Sequence, residues 1–508
     1  MRDDTGTGAG QRPHAVVIGS GFGGLAAAVR LGARGWRVTV LEQLDAPGGR
    51  AYVYRDRGFT FDAGPTIVTA PYLLEELWAL CGRRLSDDID LRAMDPFYRI
   101  RFDDGTEIAA TADLDRMREE VRRIEPRDVD GFDRFIVESE RIYKVAFHDL
   151  ADQPFHRIST LLTSAPDLLR LGGHWSVWTK VRRFFSHPKL RIAFSFHPLL
   201  IGGNPLTTTA YYCLIAHLER THGVHFAMGG TGALVQGLCR LIEQHQGGHI
   251  RCNARVERIL ARDGTACGVR LASGEEIAAD IVVSNAEVGH TYDRLLGREQ
   301  PRRRWTGSKL ARASYSMSLF VWYFGTDRRY EDVYHHMMIL GPRYEELLRD
   351  IFGRKRLAED FSLYLHRPTM TDRSLAPPGC DAFYVLAPVP NLAGGTDWTA
   401  RAEPYRAAIQ RRLEETVLPG LGRHIVTSRL LTPLDFRDRL LSTLGAAFAM
   451  EPKLFQSAWF RPHNISEELR NLYLVGAGTH PGAGMPGVIS SARILDQVVP
   501  PAESFVRA

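Results

Sequence analysis

A glycine-rich turn near the N-terminus restricts the fold of this chain more than any other feature. The motif Gly19-Ser20-Gly21-Phe22-Gly23-Gly24 follows a short β-branched run and precedes a helical pattern of apolar residues. Gly19 permits a tight turn, Gly21 lets backbone N–H groups approach a pyrophosphate, and Gly24 lets the helix pack closely on the strand. The helix N-terminus then favours a bound phosphate, because its unpaired N–H groups and its dipole attract negative charge.

A carboxylate after the second predicted strand extends this motif into a βαβ unit. The β-branched run at 37–41 is followed by Glu42, which can accept hydrogen bonds from both hydroxyls of a ribose. A glycine motif alone, with an ordinary solvated glutamate, would indicate only a tight turn. Strand, helix and acid together predict a doubly wound α/β fold that binds a dinucleotide.

Two further glycine turns distinguish FAD from NAD. Pro47-Gly48-Gly49-Arg50 supplies a second glycine pair for a pyrophosphate and, in Arg50, a guanidinium with a fork of donors. A short strand then leads into Gly64-Pro65-Thr66, a turn that can bring backbone close to a flat ring. Taken singly, the first motif could be a surface turn and the second a plain β-turn.

The C-terminal segment 471–488 is the most specific of the glycine-rich runs. It predicts a strand, a glycine turn and a helix that begins near Pro486. The N–H groups at the start of that helix would point at a ring oxygen that becomes anionic on reduction. The candidate flavin contacts of this segment are Gly476, Ala477, Gly478, Met485, Gly487 and Val488.

These motifs carry a resemblance to a known family. Segments 14–66, 249–286 and 471–492 resemble the three flavin-contacting segments of the amine oxidase and phytoene desaturase superfamily. Similarity to bacterial-type phytoene desaturases also lies outside them, at 196–205, 318–324, 365–368 and 457–465. The resemblance therefore covers nearly the whole chain.

The resemblance implies FAD as the cofactor and desaturation of phytoene as the reaction. Glu42 would hold the adenosine ribose, Val256 would meet adenine through its backbone, and 476–488 would flank the isoalloxazine. Two hydrogens would leave across a saturated C–C bond, in successive dehydrogenations towards neurosporene or lycopene, with quinone or oxygen as the electron acceptor. No catalytic side chain is assigned, since packing or capping explains His480, beside the flavin segment, at least as well as catalysis does.

Three rival functions remain open. One is a desaturase or oxygenase of a later, hydroxylated or methoxylated carotenoid. Another is a flavin amine oxidase, which would frame a charged amine with aromatic residues and would need no membrane. The third is a non-catalytic, flavin-sensing binding protein.

The expected architecture is α/β, with a Rossmann-like, discontinuous FAD-binding domain, an inserted substrate domain and a helical membrane-facing region. Alternation at 250–256, followed by two turns, predicts a β-meander and a return strand inside the FAD-binding part. The expected boundaries are FAD-binding segments at 1–110, 225–300 and 457–508, a helical membrane-facing substrate region at 111–224 and a substrate domain at 301–456.

Charge and cysteine usage exclude several classes of partner. A net charge of +5, from 64 Lys+Arg and 59 Asp+Glu, is too small and too dispersed for a nucleic-acid binder. The six cysteines lie far apart and predict reduced, mostly buried thiols. Neither His217, His222 and His225 nor the pair His335-His336 has a recognised metal-ligand spacing, so no metal is predicted. No serine or cysteine lies in a nucleophile elbow.

The sequence predicts a cytoplasmic protein that associates peripherally with a membrane. Residues 1–11 form a polar lead without the apolar core of a signal peptide. The apolar runs are all shorter than the roughly 18 to 20 residues that span a bilayer. Segment 155–218 mixes Leu, Phe and Trp with Arg and Lys, as an interfacial helix requires, although amphipathic core helices share that pattern. The resemblance favours the interfacial interpretation.

Overall fold

The structure, a computed structural model, describes residues 12–297, 300 and 302–505. The lead at 1–11 lies outside the described residues. The strands are β1 (His14–Ile18), β2 (Arg37–Leu41), β3 (Val53–Asp56), β4 (Phe59–Asp62), β5 (Leu91–Ala93), β6 (Tyr98–Arg101), β7 (Glu107–Ala110), β8 (His225–Ala227), β9 (His249–Arg251), β10 (Val256–Arg262), β11 (Thr265–Leu271), β12 (Glu276–Ala278), β13 (Ile281–Ser284), β14 (Ser318–Thr326), β15 (His336–Ile339), β16 (Leu363–His366), β17 (Asp381–Val389), β18 (Ile425–Leu431) and β19 (Leu472–Leu474).

The α-helices are α1 (Phe22–Ala33), α2 (Tyr72–Ala79), α3 (Leu114–Ile124), α4 (Val129–Tyr143), α5 (Ile158–Arg170), α6 (Val177–Val181), α7 (Pro188–Ala193), α8 (Leu214–His222), α9 (Thr231–Arg240), α10 (Val288–His290), α11 (Gly307–Arg312), α12 (Tyr344–Leu348), α13 (Trp398–Thr416), α14 (Pro433–Asp438), α15 (Met485–Arg493) and α16 (Leu495–Val498). Short 3-10 and π turns connect or extend several of them.

A five-stranded parallel sheet contains the predicted βαβ unit. Its strand order is β19-β13-β1-β2-β9, and every residue of β1 is buried. β1 lies between β2, which follows it through α1, and β13, which comes much later in the chain. Connections diverge at β1, and such a switch point opens a crevice at the carboxyl ends of the strands. The prediction of β1, α1 and β2 is confirmed.

The strand predicted at 250–256 is wrong in its extent. β9 ends at Arg251 and pairs with β2, whereas β10 begins at Val256 and pairs antiparallel with β11. Between them the backbone turns at Asn253, which has a φ of 53°. Alternation continues through this turn, which is why the sequence pattern joined the two strands. The predicted meander, β10-β11-β12, and the return strand β13 are confirmed.

A second, seven-stranded sheet has the order β18-β14-β17-β16-β15-β6-β7. Its strand β14 is buried along its whole length, because both faces of the sheet are covered. Leu319, Val321 and Tyr323 pack into the core that faces the helical region, while alternate residues of β14 pack on the opposite side, under α13. β6 and β7 fall inside the expected first FAD-binding segment, 1–110, yet they pair with this sheet, β6 directly with β15.

The region at 111–224 is helical, as its periodicity predicts, and one of its helices is unusual. α5 has no buried residue along its thirteen positions, although it carries leucine and isoleucine. Within the described part of the chain, no helix combines the length and the apolar character that crossing a bilayer requires.

The cysteines are free, as expected, but the expected burial is wrong for most of them. Only Cys213 and Cys239 are buried; three of the others are partly exposed and Cys267 is exposed.

Candidate active site

The glycine turns meet at one large cavity between the two sheets. It has a volume of about 590 Å³ and lies at the carboxyl ends of β1, β13 and β19. The predicted cofactor residues that line it are Gly19, Gly21, Glu42, Gly48, Gly49, Arg50, Gly64, Pro65, Thr66, Val256, Gly476, Ala477, Met485, Gly487 and Val488. Residues far apart in sequence therefore share one wall.

Two predicted residues, Gly24 and Gly478, lie off the cavity wall. A Cβ at Gly24 would stand 2.0 Å from the carbonyl oxygen of Gly19, so this glycine allows the close packing of helix and turn that its motif position predicts. A Cβ at Gly478 would stand 2.3 Å from Cγ2 of Val288. Gly478 is thus required for packing, and its predicted flavin contact has no support from its position.

Glu42 is buried and holds the glycine turn to the end of β2. Its Oε2 accepts hydrogen bonds from the backbone N–H (2.9 Å) and the hydroxyl (2.6 Å) of Ser20, and its Oε1 accepts one from the N–H of Leu44 (2.9 Å). The motif alone predicts no role for Ser20. Its position between two glycines of the motif was the one feature of the sequence that indicated a role.

Asn285 was also missed by the sequence analysis. It directly follows β13, and its Nδ2 donates to the carbonyl oxygen of Gly19 at 3.3 Å. A Cβ at Gly23 or at Gly476 would come within 2.6 Å of its Oδ1. Glycines of two different segments therefore surround one side chain on the cavity wall. The only signal in the sequence was a polar residue at the end of a buried strand.

The contacts of Arg50 support only part of the role that the sequence predicts for it. Its Nε donates to the carbonyl oxygen of Ala447 at 2.7 Å and its Nη2 to the hydroxyl of Ser442 at 2.9 Å. Burial lowers the pKa of its guanidinium, while the charge of Glu287 acts in the opposite direction. Because these two donors are engaged within the protein, the expected fork is only partly available to a pyrophosphate.

Tyrosines of the seven-stranded sheet hold the turn at 63–66 from behind. Tyr323 donates to the carbonyl oxygen of Ala63 at 2.7 Å, and Tyr384 donates to that of Gly64 at 3.1 Å. Burial raises the pKa of both phenols well above the ordinary value, so they act as neutral donors. These bonds fasten the turn that follows β4 to the seven-stranded sheet at the cavity.

Away from the glycine turns the cavity wall is mainly apolar. The apolar lining comes from both the seven-stranded sheet and the helical region, and includes Leu161, Leu168, Leu199, Leu200, Leu319, Val321, Met338 and Leu340. One buried carboxylate, Glu219, interrupts this wall; its Oε2 accepts a hydrogen bond from Tyr98 at 2.9 Å and lies 3.4 Å from Nε2 of His197. The wall suits a long hydrocarbon far better than a polar substrate.

His480 lines the cavity as a neutral side chain. Its Nε2 donates to the carbonyl oxygen of Leu150 at 3.0 Å, and its ring meets that of Phe155 edge-on. Burial lowers its pKa to about 4. The side chain is therefore held by packing and by one hydrogen bond.

The cavity reaches the surface region around α5. Leu161 and Leu168 line it, while Leu162 and Leu169 of the same helix are 65% and 61% exposed. Leu454 also lines the cavity, and its neighbour Phe455 is 73% exposed. An exposed apolar patch consists of Leu162, Leu169, Ile158, Leu454 and Phe455, of which Ile158 is 48% exposed.

Comparisons with known proteins agree with this geometry. The sequence profile of the family described as flavin containing amine oxidoreductase matches residues 22–494. The chain belongs to this family. It is 49% identical over 494 residues to a phytoene desaturase (neurosporene-forming) of Cereibacter sphaeroides, covering 96% of this chain and 95% of the relative. It is also 49% identical over 479 residues to a phytoene desaturase (lycopene-forming) of Pseudescherichia vulneris, covering 94% of this chain and 97% of the relative.

Solved structures share the fold at low sequence identity. An oxidoreductase from Methanosarcina mazei matches with a TM-score of 0.64 and 17% identity, over 95% of this chain and 100% of the other. Wild-type putrescine oxidase bound to putrescine matches with a TM-score of 0.61 and 14% identity, over 96% and 100%. The predictions of a mixed α/β flavoenzyme fold and of an FAD-dependent oxidoreductase are confirmed.

Proposed function

We propose that the enzyme desaturates phytoene with FAD, in successive dehydrogenations towards neurosporene or lycopene. The observation that carries the proposal is an apolar cavity that begins at the glycine turns and is lined by both sheets and the helical region. Relatives of 49% identity are named for this substrate and for these two products. The family resemblance of the sequence implies the same reaction.

The residues present fit FAD. A side chain at Gly21 would enter the cavity and stand 3.1 Å from Nδ2 of Asn285, and Gly49 has a φ of 57° that favours glycine. The N-termini of α1 and α15 both face the cavity through lining residues. In this proposal the Gly19 turn and Gly49 hold the pyrophosphate, Glu42 the ribose and Val256 the adenine, and 476–488 flank the ring.

FAD, when bound, supplies a hydride acceptor. The chain's own contribution is to position the hydrocarbon and to exclude water, because the polyene itself delocalises the positive charge that develops. Leu319, Val321 and Met338 supply the apolar wall along which the substrate lies. The neutral state of His480 keeps a cation out of that part of the cavity.

Phytoene presented in liposomes tests the function against its rivals. Purified enzyme should convert it to products whose absorption moves to longer wavelength as the polyene lengthens, as seen by chromatography. Hydroxylated carotenoid and putrescine serve as competing substrates in parallel incubations. Conversion of either of these, with phytoene left unchanged, would refute the proposal. Anaerobic reactions with a quinone, compared with reactions in air, identify the electron acceptor.

The proposed domain organisation keeps three FAD-binding segments with one altered boundary. β6 pairs with β15 and β7 pairs with β6, so we place the end of the first FAD-binding segment before β6, not at 110. The second and third segments, 225–300 and 457–508, contribute β9, β13 and β19 to the five-stranded sheet. The region at 301–456 contributes the remaining five strands of the seven-stranded sheet and serves as the substrate domain.

We further propose peripheral association with the cytoplasmic face of a membrane through the apolar patch. A C40 hydrocarbon gains roughly 30 kcal/mol in lipid, at about 0.8 kcal/mol per CH₂, so it will not cross water to reach an enzyme. α5 offers exposed leucines beside leucines that line the cavity. Arg183, stacked 4.2 Å from the ring of Trp175 just beyond α5, supplies a cationic flank.

Liposome flotation tests the patch directly. The double variant Leu162→Asp/Phe455→Asp should lose flotation with anionic liposomes, whereas Leu80→Asp, a matched control at a 41% exposed leucine after α2, should float like the wild type. Release of the wild-type protein by alkaline wash would identify it as peripheral. Unchanged flotation of the double variant would show that another surface binds the membrane.

A further inference from the structure

Three buried histidines converge inside the seven-stranded sheet, away from the glycine turns. His335 immediately precedes β15, His336 begins it, and His366 ends β16, directly opposite His336 in the strand register. Their exposures are 6%, 1% and 1%. One potential metal-ligand atom from each of the three side chains lies within 4.8 Å of the other two.

Two of the three imidazoles have a supporting hydrogen bond on Nδ1. Nδ1 of His335 is hydrogen-bonded to the hydroxyl of Thr371 at 2.6 Å, and Nδ1 of His336 to that of Tyr364 at 2.6 Å. Hydroxyl or carboxylate partners on one nitrogen commonly fix a metal-binding imidazole through the other. Nε2 of His335 and Nε2 of His366 are within hydrogen-bond distance at 3.1 Å, whereas the buried Nε2 of His336 and Nδ1 of His366 have no hydrogen-bond partner.

These distances are close to those of a coordination shell. Zinc–nitrogen bonds of about 2.0–2.1 Å put two ligand nitrogens about 3.4 Å apart in a tetrahedron. The pair at 3.1 Å is slightly closer than that spacing, and one ligand nitrogen from each of the three residues lies within 4.8 Å of the others. A buried nitrogen without a partner is costly, and a bound ion would satisfy it.

The charged side chain beside the cluster is paired. Arg367, which directly follows His366, forms an ion pair with buried Asp381 at 3.0 Å. The carboxylate of Asp381 therefore offsets the guanidinium charge that would otherwise repel a cation bound by the histidines.

We propose that His335, His336 and His366 bind one zinc or copper ion through their Nε2 atoms. Imidazole ligands without thiolate or carboxylate suit these two metals. The ion fastens β15 to β16. Through the hydrogen bond of His336 it also holds Tyr364, whose hydroxyl is hydrogen-bonded to the hydroxyl of Thr66 on the cavity wall at 2.9 Å. Its role is structural, because the site lies behind Tyr364 and does not line the cavity.

Metal analysis of the wild-type holoenzyme tests the site. Protein without an affinity tag, produced in medium supplemented with zinc or with copper, is passed through chelator and gel filtration before mass-spectrometric metal analysis. A stoichiometric amount of one metal per FAD is expected. X-ray absorption at that metal's edge should then show nitrogen neighbours at about 2.0–2.1 Å. Only traces of both metals in folded, FAD-containing protein would overturn the proposal, and so would a shell containing sulfur.

Variants locate the ion. His366→Gln should lose the metal, whereas the matched control His245→Gln, at an exposed histidine, should keep it. Full retention of metal in folded His366→Gln would overturn the assignment. If His366→Gln does not fold, metal content and X-ray absorption of the wild type still decide.

Discussion

Substitution of Glu42 tests the flavin site at its most highly connected residue. The carboxylate accepts three hydrogen bonds, two from Ser20 and one from Leu44, in a buried position. In Glu42→Lys, these donors lose their acceptor and face a cation. Each orphaned donor costs about 1–3 kcal/mol of stability, with or without FAD, whereas only the lost charge-assisted bond to a ribose hydroxyl, worth about 1.5–3 kcal/mol, weakens FAD binding. At the upper value of about 3 kcal/mol, Kd for FAD rises roughly a hundredfold.

The assay is the ratio of flavin to protein after gel filtration, followed by fluorescence titration of the apoprotein with FAD. Glu257→Lys makes the same charge change at an exposed position on β10 and serves as the control. Melting curves of both apoproteins separate a loss of folding from a loss of binding. Retention of wild-type flavin content by Glu42→Lys would show that the carboxylate does not hold FAD.

Three further substitutions test separate parts of the account. Gly21→Val should abolish flavin absorbance while circular dichroism stays near that of the wild type, because its side chain enters the cavity. Gly478→Val should instead lower the melting temperature of the apoprotein, because its Cβ would clash with Val288, and unchanged melting would contradict this. The pKa of His480 is about 4 in the folded protein and about 6.5 in the unfolded chain. Between these two values the unfolded chain binds a proton that the folded protein does not. His480 therefore lowers the free energy of unfolding as pH falls from 6.5 towards 4, by at most about 1.4 kcal/mol per pH unit. His480→Gln should therefore lose less melting temperature than the wild type between pH 7 and pH 5, and equal losses would show that this histidine does not titrate as stated.

Local patterns predicted the elements that begin and end the flavin-binding part. The glycine motif, its flanking strands and Glu42 are contiguous in sequence, so periodicity and turn chemistry define them. Pairing within the meander also followed from local turns. The same local signals failed at 250–256, since alternation cannot show where a strand leaves one sheet for another.

Contacts between distant segments could not be predicted from one sequence. Arg50 binds Ser442 and Ala447, nearly four hundred residues away, and this contact redirects donors that the motif assigned to a pyrophosphate. His366 joins His335 and His336 only because β16 pairs with β15. Strand order in the seven-stranded sheet is a property of packing between segments, and no periodicity within one segment encodes it.

A single-turnover experiment with phytoene shows directly whether the bound flavin oxidises this substrate. Enzyme containing oxidised FAD is mixed anaerobically with liposomal phytoene, without an added acceptor, and flavin absorbance and carotenoid products are followed together. The account predicts that bleaching of the flavin accompanies, mole for mole, the appearance of a product with one additional double bond. Oxidised flavin that persists in the presence of phytoene, or bleaching without a lengthened polyene, would contradict it.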